Sequence, residues 1–430
     1  MGTYYVDPTL GLDGNAGSQL APWHDPCWAI QSCTDGDTLV MVQGTYQMAT
    51  IGSAKGTDGT FPTATSFSSA SVNFQTQGVQ ANDFLFARDP DGRDRSWKIQ
   101  SVSGHTLNLA ESASTSGGAY IEFWCCVAGK LASRSLYGPG GSSAQGVIYD
   151  FNGSIIDANG QATVGMEAVG TKYWTMKNGT IKNATTTQLL MGSNRETTQE
   201  NVVVLNMALE GGQYGLKFDP TYDANHASFL NCRAKNCTVC GFYMYLWQSF
   251  VGGCVAADCG VGFQVPCSES RHFFFDNLAH GSTNEGFKVE NNSQLRAFVR
   301  NVAAKNGTYG FNFTGDPRRW LFINNILHGN TMYDLYMTAN PNTLFQLSNC
   351  IGTIGGTAVR DASDIADDPC FVDPDNDDFR LRDKSPCWER GFANSFIIDN
   401  VGHIGLQDRT LMGPKVRPVA YANPTQTMVR

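Results

Sequence analysis

Asn277-Leu-Ala-His-Gly-Ser282, Asn301-Val-Ala-Ala-Lys-Asn306 and Asn325-Ile-Leu-His-Gly-Asn330 are one six-residue phrase written three times at 24-residue intervals. Followed in both directions, its first position becomes a column of Asn152, Asn178, Asn206, Asn231, Gly253, Asn277, Asn301, Asn325 and Asn349. Five residues on runs a second column, Asp157, Asn183, Gly211, Asn236, Asp258, Ser282, Asn306 and Asn330. These residue types tolerate the left-handed backbone of sharp turns. Between them recurs a Gly-aromatic-x-apolar motif: Gly241-Phe-Tyr-Met244, Gly262-Phe-Gln-Val265, Gly286-Phe-Lys-Val289 and Gly310-Phe-Asn-Phe313, preceded by Gly215-Leu-Lys-Phe218. Each repeat reads as short strands between turns. Such a unit cannot bury its apolar positions alone, so successive units must stack as coils with column mates about 4.8 Å apart. The pattern predicts an all-β chain wound as a single-stranded parallel β-helix of about nine or more coils. Its asparagines are expected to ladder up the axis, each hydrogen-bonded to the coils above and below.

The composition agrees. Forty-six glycines in 430 residues, with only 16% charged residues, suit short strands joined by tight turns better than helical bundles. A formal net charge of −9 without a long Lys/Arg run argues against a nucleic-acid partner. No apolar run is long enough to span a bilayer, and Met1-Gly-Thr-Tyr-Tyr-Val-Asp-Pro8 has neither a basic segment nor an apolar stretch. Neither membrane insertion nor a secretion signal is expected. Thirteen cysteines, an odd number without paired zinc-type spacing, are expected to be buried reduced thiols, with disulfides or metal as the alternative.

Between Gly52 and Gly118 the coil pattern stops. There Val79-Gln-Ala-Asn-Asp-Phe-Leu-Phe-Ala87, Trp97-Lys-Ile-Gln-Ser-Val102 and His105-Thr-Leu-Asn-Leu109 alternate apolar and polar residues around the hairpin turns Asp89-Pro-Asp-Gly92 and Ser103-Gly104. The expected organisation is an N-terminal cap and first coil over 1–51, a small antiparallel barrel-like insertion over 52–118, the parallel β-helix over 119–391, and an extended C-terminal tail over 392–430.

The strand before the asparagine column has two faces. Two residues before it stand Val204, Phe229, Val251, Phe275, Val299, Ile323 and Leu347, expected inside the coil. Three residues before stand Phe250, Phe274, Phe298 and Phe322, which strand alternation then turns outward. The same outward face, five residues before the column, carries Gln248, His272, Arg296 and Trp320. An exposed stack of this kind is expected to be covered by another subunit, a glycan or the chain's own tail.

The chain ends add a resemblance. Tyr4-Tyr-Val-Asp-Pro8, Gly11, Asp13-Gly-Asn-Ala-Gly17, Pro22, Trp28-Ala-Ile30, Gly36-Asp-Thr-Leu-Val40 and Gly44-Thr-Tyr46 resemble the opening of right-handed parallel β-helix proteins of the phage tailspike and polysaccharide-lyase type. Phe371-Val-Asp-Pro374, Asp378-Phe-Arg-Leu-Arg382, Ser385-Pro386 and Gly391 are similar to their closing segment. The resemblance implies a short capping helix before the first coil, and it covers lyases, hydrolases and non-enzymatic virion proteins alike. The inserted segment is loosely similar to small barrels of phage structural proteins.

No two carboxylates fall in one column a coil apart, as a retaining glycosidase would need. A uronate lyase needs a cation or Ca²⁺ on the carboxylate and a Lys, Arg or His as base; Lys288 and Glu290 are the candidates that can be assembled, with Arg296 beside them, against the alternative of scattered surface charges. The expectation is a virion surface protein, tailspike-like or a capsid or tail decoration β-helix, assembled in the host cytoplasm without catalytic turnover. Its expected partners are two further copies in a homotrimer, other virion proteins and a host surface polysaccharide, with no metal and no cofactor. The alternative is a secreted, extracellular polysaccharide lyase or other glycan-degrading enzyme, for which alone Ca²⁺ is expected.

Overall fold

A computed structural model describes residues 2–24, 26–34, 36–48, 54–90, 94–126, 130–131, 136–137, 146–160, 162–169, 172–192, 199–218, 224–245, 248–266, 271–290, 295–314, 320–338 and 344–387. The tail expected over 392–430 lies outside these residues. A seven-residue helix, Pro26–Ser32, precedes the first coil. No described helix is long and apolar enough to cross a membrane.

The chain is a parallel β-helix. Each regular coil has three legs, as in Arg271–Phe275, Leu278–His280 and Phe287–Val289. The first two legs of successive coils build one parallel sheet, and the third legs build a second. Among the described residues seven coils carry three separate strands without interruption, the lowest being Val147–Asp150, Ile155–Asp157 and Val164–Val169, and beneath it Thr38–Met41, Thr45–Met48 and, after the insertion, Leu136–Tyr137 pair as a further coil. In two more, the first two legs merge into the long strands Lys172–Lys182 and Gln199–Glu210.

The interior is aromatic. The phenylalanine of each Gly-Phe-x-apolar motif points in, and Phe242, Phe263, Phe287 and Phe311 stack at 4.9, 4.7 and 4.2 Å between centroids. Against them, edge to face, stands a second stack, with Phe274 and Phe298 5.1 Å apart and Phe298 at 84° to Phe311. The motif glycine is needed where the third leg passes the small second-leg column Ala256–Ala279–Ala303: a Cβ on Gly262 would lie 2.5 Å from the Gly286 carbonyl oxygen and 2.9 Å from the Ala279 Cβ.

The asparagine ladder forms as expected in the upper coils. Asn277 Nδ2 donates to Asn301 Oδ1 at 2.9 Å, Asn301 Nδ2 to Asn325 Oδ1 at 3.1 Å, and Asn325 Nδ2 to Asn349 Oδ1 at 3.1 Å. Lower down the column is a different structure. Asn152, Asn178, Asn206, Asn231 and Gly253 occupy the left-handed corner, a place taken above by Asp276, Arg300, Asn324 and Ser348, each one residue before the buried asparagine. The step from Gln248 to its register mate Arg271 is 23 residues, where the sequence spacing suggested 24.

That single residue reverses the expected faces from Arg271 onward, because side chains alternate with period two. Val204, Phe229 and Val251 do point inward, but the inward column continues through Phe274, Phe298 and Phe322, all fully buried. Phe275, Val299, Ile323 and Leu347 are the outward ones, half-buried in register. Of the four phenylalanines expected outside, only Phe250 is there, and its true column mates are Phe273 and, three coils further, Phe345.

Lys55–Thr63, Ser66–Ser69, Thr106–Leu109, Asp94–Ser103, Phe84–Arg88 and Gly117–Cys126, in that order, close an antiparallel barrel around Phe61, Phe67, Phe74, Trp97 and Phe123. It meets the N-terminal segment where the His24 ring stacks on Phe84 at 3.9 Å. At the other end the chain turns back, and the hairpin of Phe371–Asp373 and Asp378–Leu381 packs Phe371, Phe379 and Leu381 on the outward side of the second legs, against Leu278, Val302 and Ile326. His280 and Asp377, 3.2 Å apart, and the Lys305–Asp375 pair pin it there.

Candidate functional site

The register change relocates most of the predicted binding residues. Gln248 stays on the outer face, half-buried and paired in register with Arg271. His272, Arg296 and Trp320 do not join it; they are fully buried, in the inward column that rises from Trp174 through Val202, Ala227 and Ser249. His272 Nδ1 lies 2.6 Å from Ser249 Oγ, and the Arg296 guanidinium lies over the Trp320 ring at 4.8 Å while donating to the Glu290 carbonyl oxygen at 3.3 Å. Burial first, and then the Arg296 charge, push the His272 pKa well below the usual range, so the ring is neutral at pH 7. A Ser-His pair sealed inside the coil cannot meet a polymer, so these residues specify the core.

The other predicted pair is on the surface. Lys288 leaves the third leg outward, and its Nζ lies 2.7 Å from Glu290 Oε1; the second carboxylate oxygen of Glu290 accepts from Gln264 Nε2 at 3.1 Å. Burial opposes the lysine's charge, but the hydrogen bond to Glu290 and its negative charge outweigh it and raise the Lys288 pKa.

Register places Lys288 in an outward column of Lys217, Tyr243, Gln264, Lys288, Asn312 and Tyr336. Through Asn312 these are the x residues of the Gly-aromatic-x-apolar motif, so the column was present in the sequence as the variable position of a pattern read only for its fixed ones. Tyrosines gather at both ends. Tyr214 meets Tyr243 edge-on at 5.7 Å with Lys217 over its ring at 4.8 Å, while Tyr309 stacks on Tyr336 at 4.6 Å and on Tyr333 at 6.3 Å. Burial, followed by the neighbouring Tyr214 and Glu290, pushes the Tyr243 phenol up to about 12. Between the tyrosine groups Asn312 Nδ2 donates to Glu285 Oε1 at 3.0 Å. The result is a shallow strip of rings, amides and paired charges along the coil axis.

Among the described residues no three His, Cys, Asp or Glu side chains gather as a metal site requires. No protein-family model matches the chain, and no curated protein sequence matches it. Solved structures similar to it in fold include pectate lyase Pel9A, at 14% identity over 94% of this chain and 96% of that one with a TM-score of 0.49. A rhamnogalacturonan lyase follows at 12% identity over 81% and 87% with a TM-score of 0.40. The tailspike gp61 of Pseudomonas phage phi297 is 12% identical over 83% of this chain and 63% of its own, with a TM-score of 0.18. Identities this low concern fold alone, and the parallel β-helix rests on this chain's own strand pairings.

Proposed function

We propose that this chain is a polysaccharide-binding β-helix of a virion surface that holds an extended glycan along the outward face of its second sheet without turning it over. The observation that carries this reading is the tyrosine group at each end of one outward column. Four coil steps separate Tyr243 from Tyr336, about 19 Å at strand spacing. A sugar ring with its glycosidic bond advances a polymer by much the same distance as one coil, so successive sugars can meet successive side chains. Apolar sugar faces suit the rings, and hydroxyls suit Gln264 and Asn312.

The raised Lys288 pKa supports binding over catalysis, since a lysine held in its protonated form is a poor acceptor of a substrate proton. The free cysteines, among them the buried Cys232, Cys237, Cys254 and Cys259, suit assembly in a reducing host cytoplasm. Phe250 and Phe273, 43% exposed, and Phe345, 55% exposed, offer an apolar outward column for contact between three copies.

Affinity electrophoresis through gels cast with bacterial capsule or lipopolysaccharide tests the reading. Tyr336→Ala is expected to weaken retention by about 1–3 kcal/mol, the scale of an aromatic platform lost from beneath a nucleic-acid base. Wild-type retention by Tyr336→Ala would remove the strip from the site. Release of unsaturated uronate ends, abolished by Lys288→Ala, would instead establish the lyase.

A further inference from the structure

We infer that the glycan taken by this strip is uncharged; the inference rests on the polysaccharide-binding reading above and names the chemistry of its ligand. Along the third legs from Tyr214 to Tyr336 and the residues directly beside them, the described outward side chains with charge are Lys217, Lys288, Glu285 and Glu290, two cations and two anions. A uronate polymer brings a carboxylate with every acidic sugar, and recognising it takes cations free to face outward. Lys288 is held by Glu290 at 2.7 Å, and Lys217 lies at the lower end, over Tyr214. On the central coils an arriving carboxylate would meet Glu285 and Glu290 with no uncommitted cation beside them, a like-charge approach that disfavours binding.

The floor of the strip makes the complementary demand. Asn312 is 5% exposed, and its Oδ1 has no hydrogen-bond partner among the described residues. A buried acceptor without a donor costs free energy until one reaches it. A sugar hydroxyl can donate, whereas an ionised carboxylate only accepts. Asn312 stands in register between Lys288 and Tyr336, so a sugar stacked on the upper tyrosines would bring its hydroxyls to this oxygen. Stacking rings, a neutral acceptor and self-cancelled charge together describe a site for neutral sugars.

The full chain can be run through gels cast with galactomannan, dextran, neutral capsular polysaccharides or polygalacturonate, at low and high salt. Retention by at least one neutral polymer, insensitive to salt and stronger than by polygalacturonate, is expected. Glu290→Gln should release the Lys288 charge and raise the ratio of polygalacturonate to neutral-polymer retention by about tenfold, a gain that Lys288→Gln in the same chain should cancel. Polygalacturonate retained by the wild-type protein as strongly as any neutral polymer, or a ratio unmoved by Glu290→Gln, overturns the inference and leaves glycan binding standing. No retention by any polymer overturns both.

Discussion

The coils on either side of Gly253 solve the same corner with different chemistry. Below, the inward corner between the first two legs is a thiol: Cys232 Sγ lies 3.4 Å from the Val204 carbonyl oxygen and Cys254 Sγ 3.5 Å from that of Phe229. Above, it is an amide, and Asn277, Asn301, Asn325 and Asn349 send Nδ2 to the carbonyls of Val251, Phe274, Phe298 and Phe322 at 2.9, 3.0, 2.9 and 2.9 Å. Both donors reach the equivalent carbonyl of the preceding coil. The amide also accepts the backbone N–H of that coil, as where Cys254 N donates to Asn277 Oδ1 at 2.9 Å. In these coils the corner carries a donor, although Met207 and Gly179 hold the same place lower down without one, and the amide adds a second bond that ties neighbouring coils in both directions. The second corner repeats the change, with Cys237 and Cys259 below and Ser282, Asn306 and Asn330 above.

The comparison breaks most decisively at Asn301. Asn301→Asp removes the donors to Phe274 and Asn325 and buries a charge, so it is expected to cost about 3–5 kcal/mol in chemical denaturation. Cys254→Ala should cost about 1 kcal/mol, since it gives up a weak S–H bond. Equal losses at the two positions would mean that the amide corner adds nothing over the thiol.

Phe298→Ala, opening a hole in the aromatic stack, should cost about 3–5 kcal/mol, while Phe273→Ala on the outer face should stay within about 0.5 kcal/mol for the isolated chain. The reverse order would restore the register with 24 residues between Gly253 and Asn277.

Acid is expected to weaken the lower end and the coils alike. Burial, outweighing the Pro8 carbonyl and the Asp7 charge, lowers the His24 pKa from 6.5 to about 4. A folded pKa below the unfolded one gives stability that is complete above pH 6.5 and lost as pH falls from 6.5 toward 4, on the order of 3 kcal/mol for this group. His272 and His280, lowered chiefly by burial, act in the same direction. Thermal melts between pH 7 and 4 should show this fall and a shallower one for His24→Gln; equal slopes would assign the loss to other groups.

A small effect is also expected from the exchange itself. Cys254→Asn should change stability by no more than about 1 kcal/mol, because the corner already offers the carbonyl an amide needs. In the wild-type protein, burial raises the Cys240 and Cys254 thiols well above their ordinary pKa, leaving too little thiolate for alkylation. Mass spectrometry after iodoacetamide treatment should find both unmodified until denaturant is added.

The coil architecture was legible because its period is written in residues with few substitutes: the ladder asparagines and the motif glycines. The facing of the strands was not, for a physical reason. Asn, Asp and Gly are interchangeable at a left-handed corner, so Gly253 and Asn277 aligned well at the wrong place, and nothing local to Phe274 or Phe298 distinguishes an inward phenylalanine from an outward one. The same slip carried His272, Arg296 and Trp320 to the surface on paper. Lys288 and Glu290 were found because charge in a lean sequence stands out, whereas Tyr309, Tyr333 and Tyr336 become one cluster only when two coils are laid together.

Both amide ladders end on a carboxylate. Asp364 Oδ1 accepts the backbone N–H and the Nδ2 of Asn349 at 2.8 and 3.0 Å, and Asp334 Oδ1 receives the same two donors from Asn330 at 3.1 and 2.6 Å. Along each row an asparagine accepts from the coil behind and offers its backbone N–H and one amide hydrogen to the asparagine ahead, so the row has a direction, and an aspartate carboxylate that accepts both offers no amide to pass on. The chain therefore carries a full stop in its own grammar. An amide ladder extends for as long as each new corner supplies both an acceptor and a donor, and it ends where the donor is withheld, while the strands themselves wind one coil further beyond Asp334.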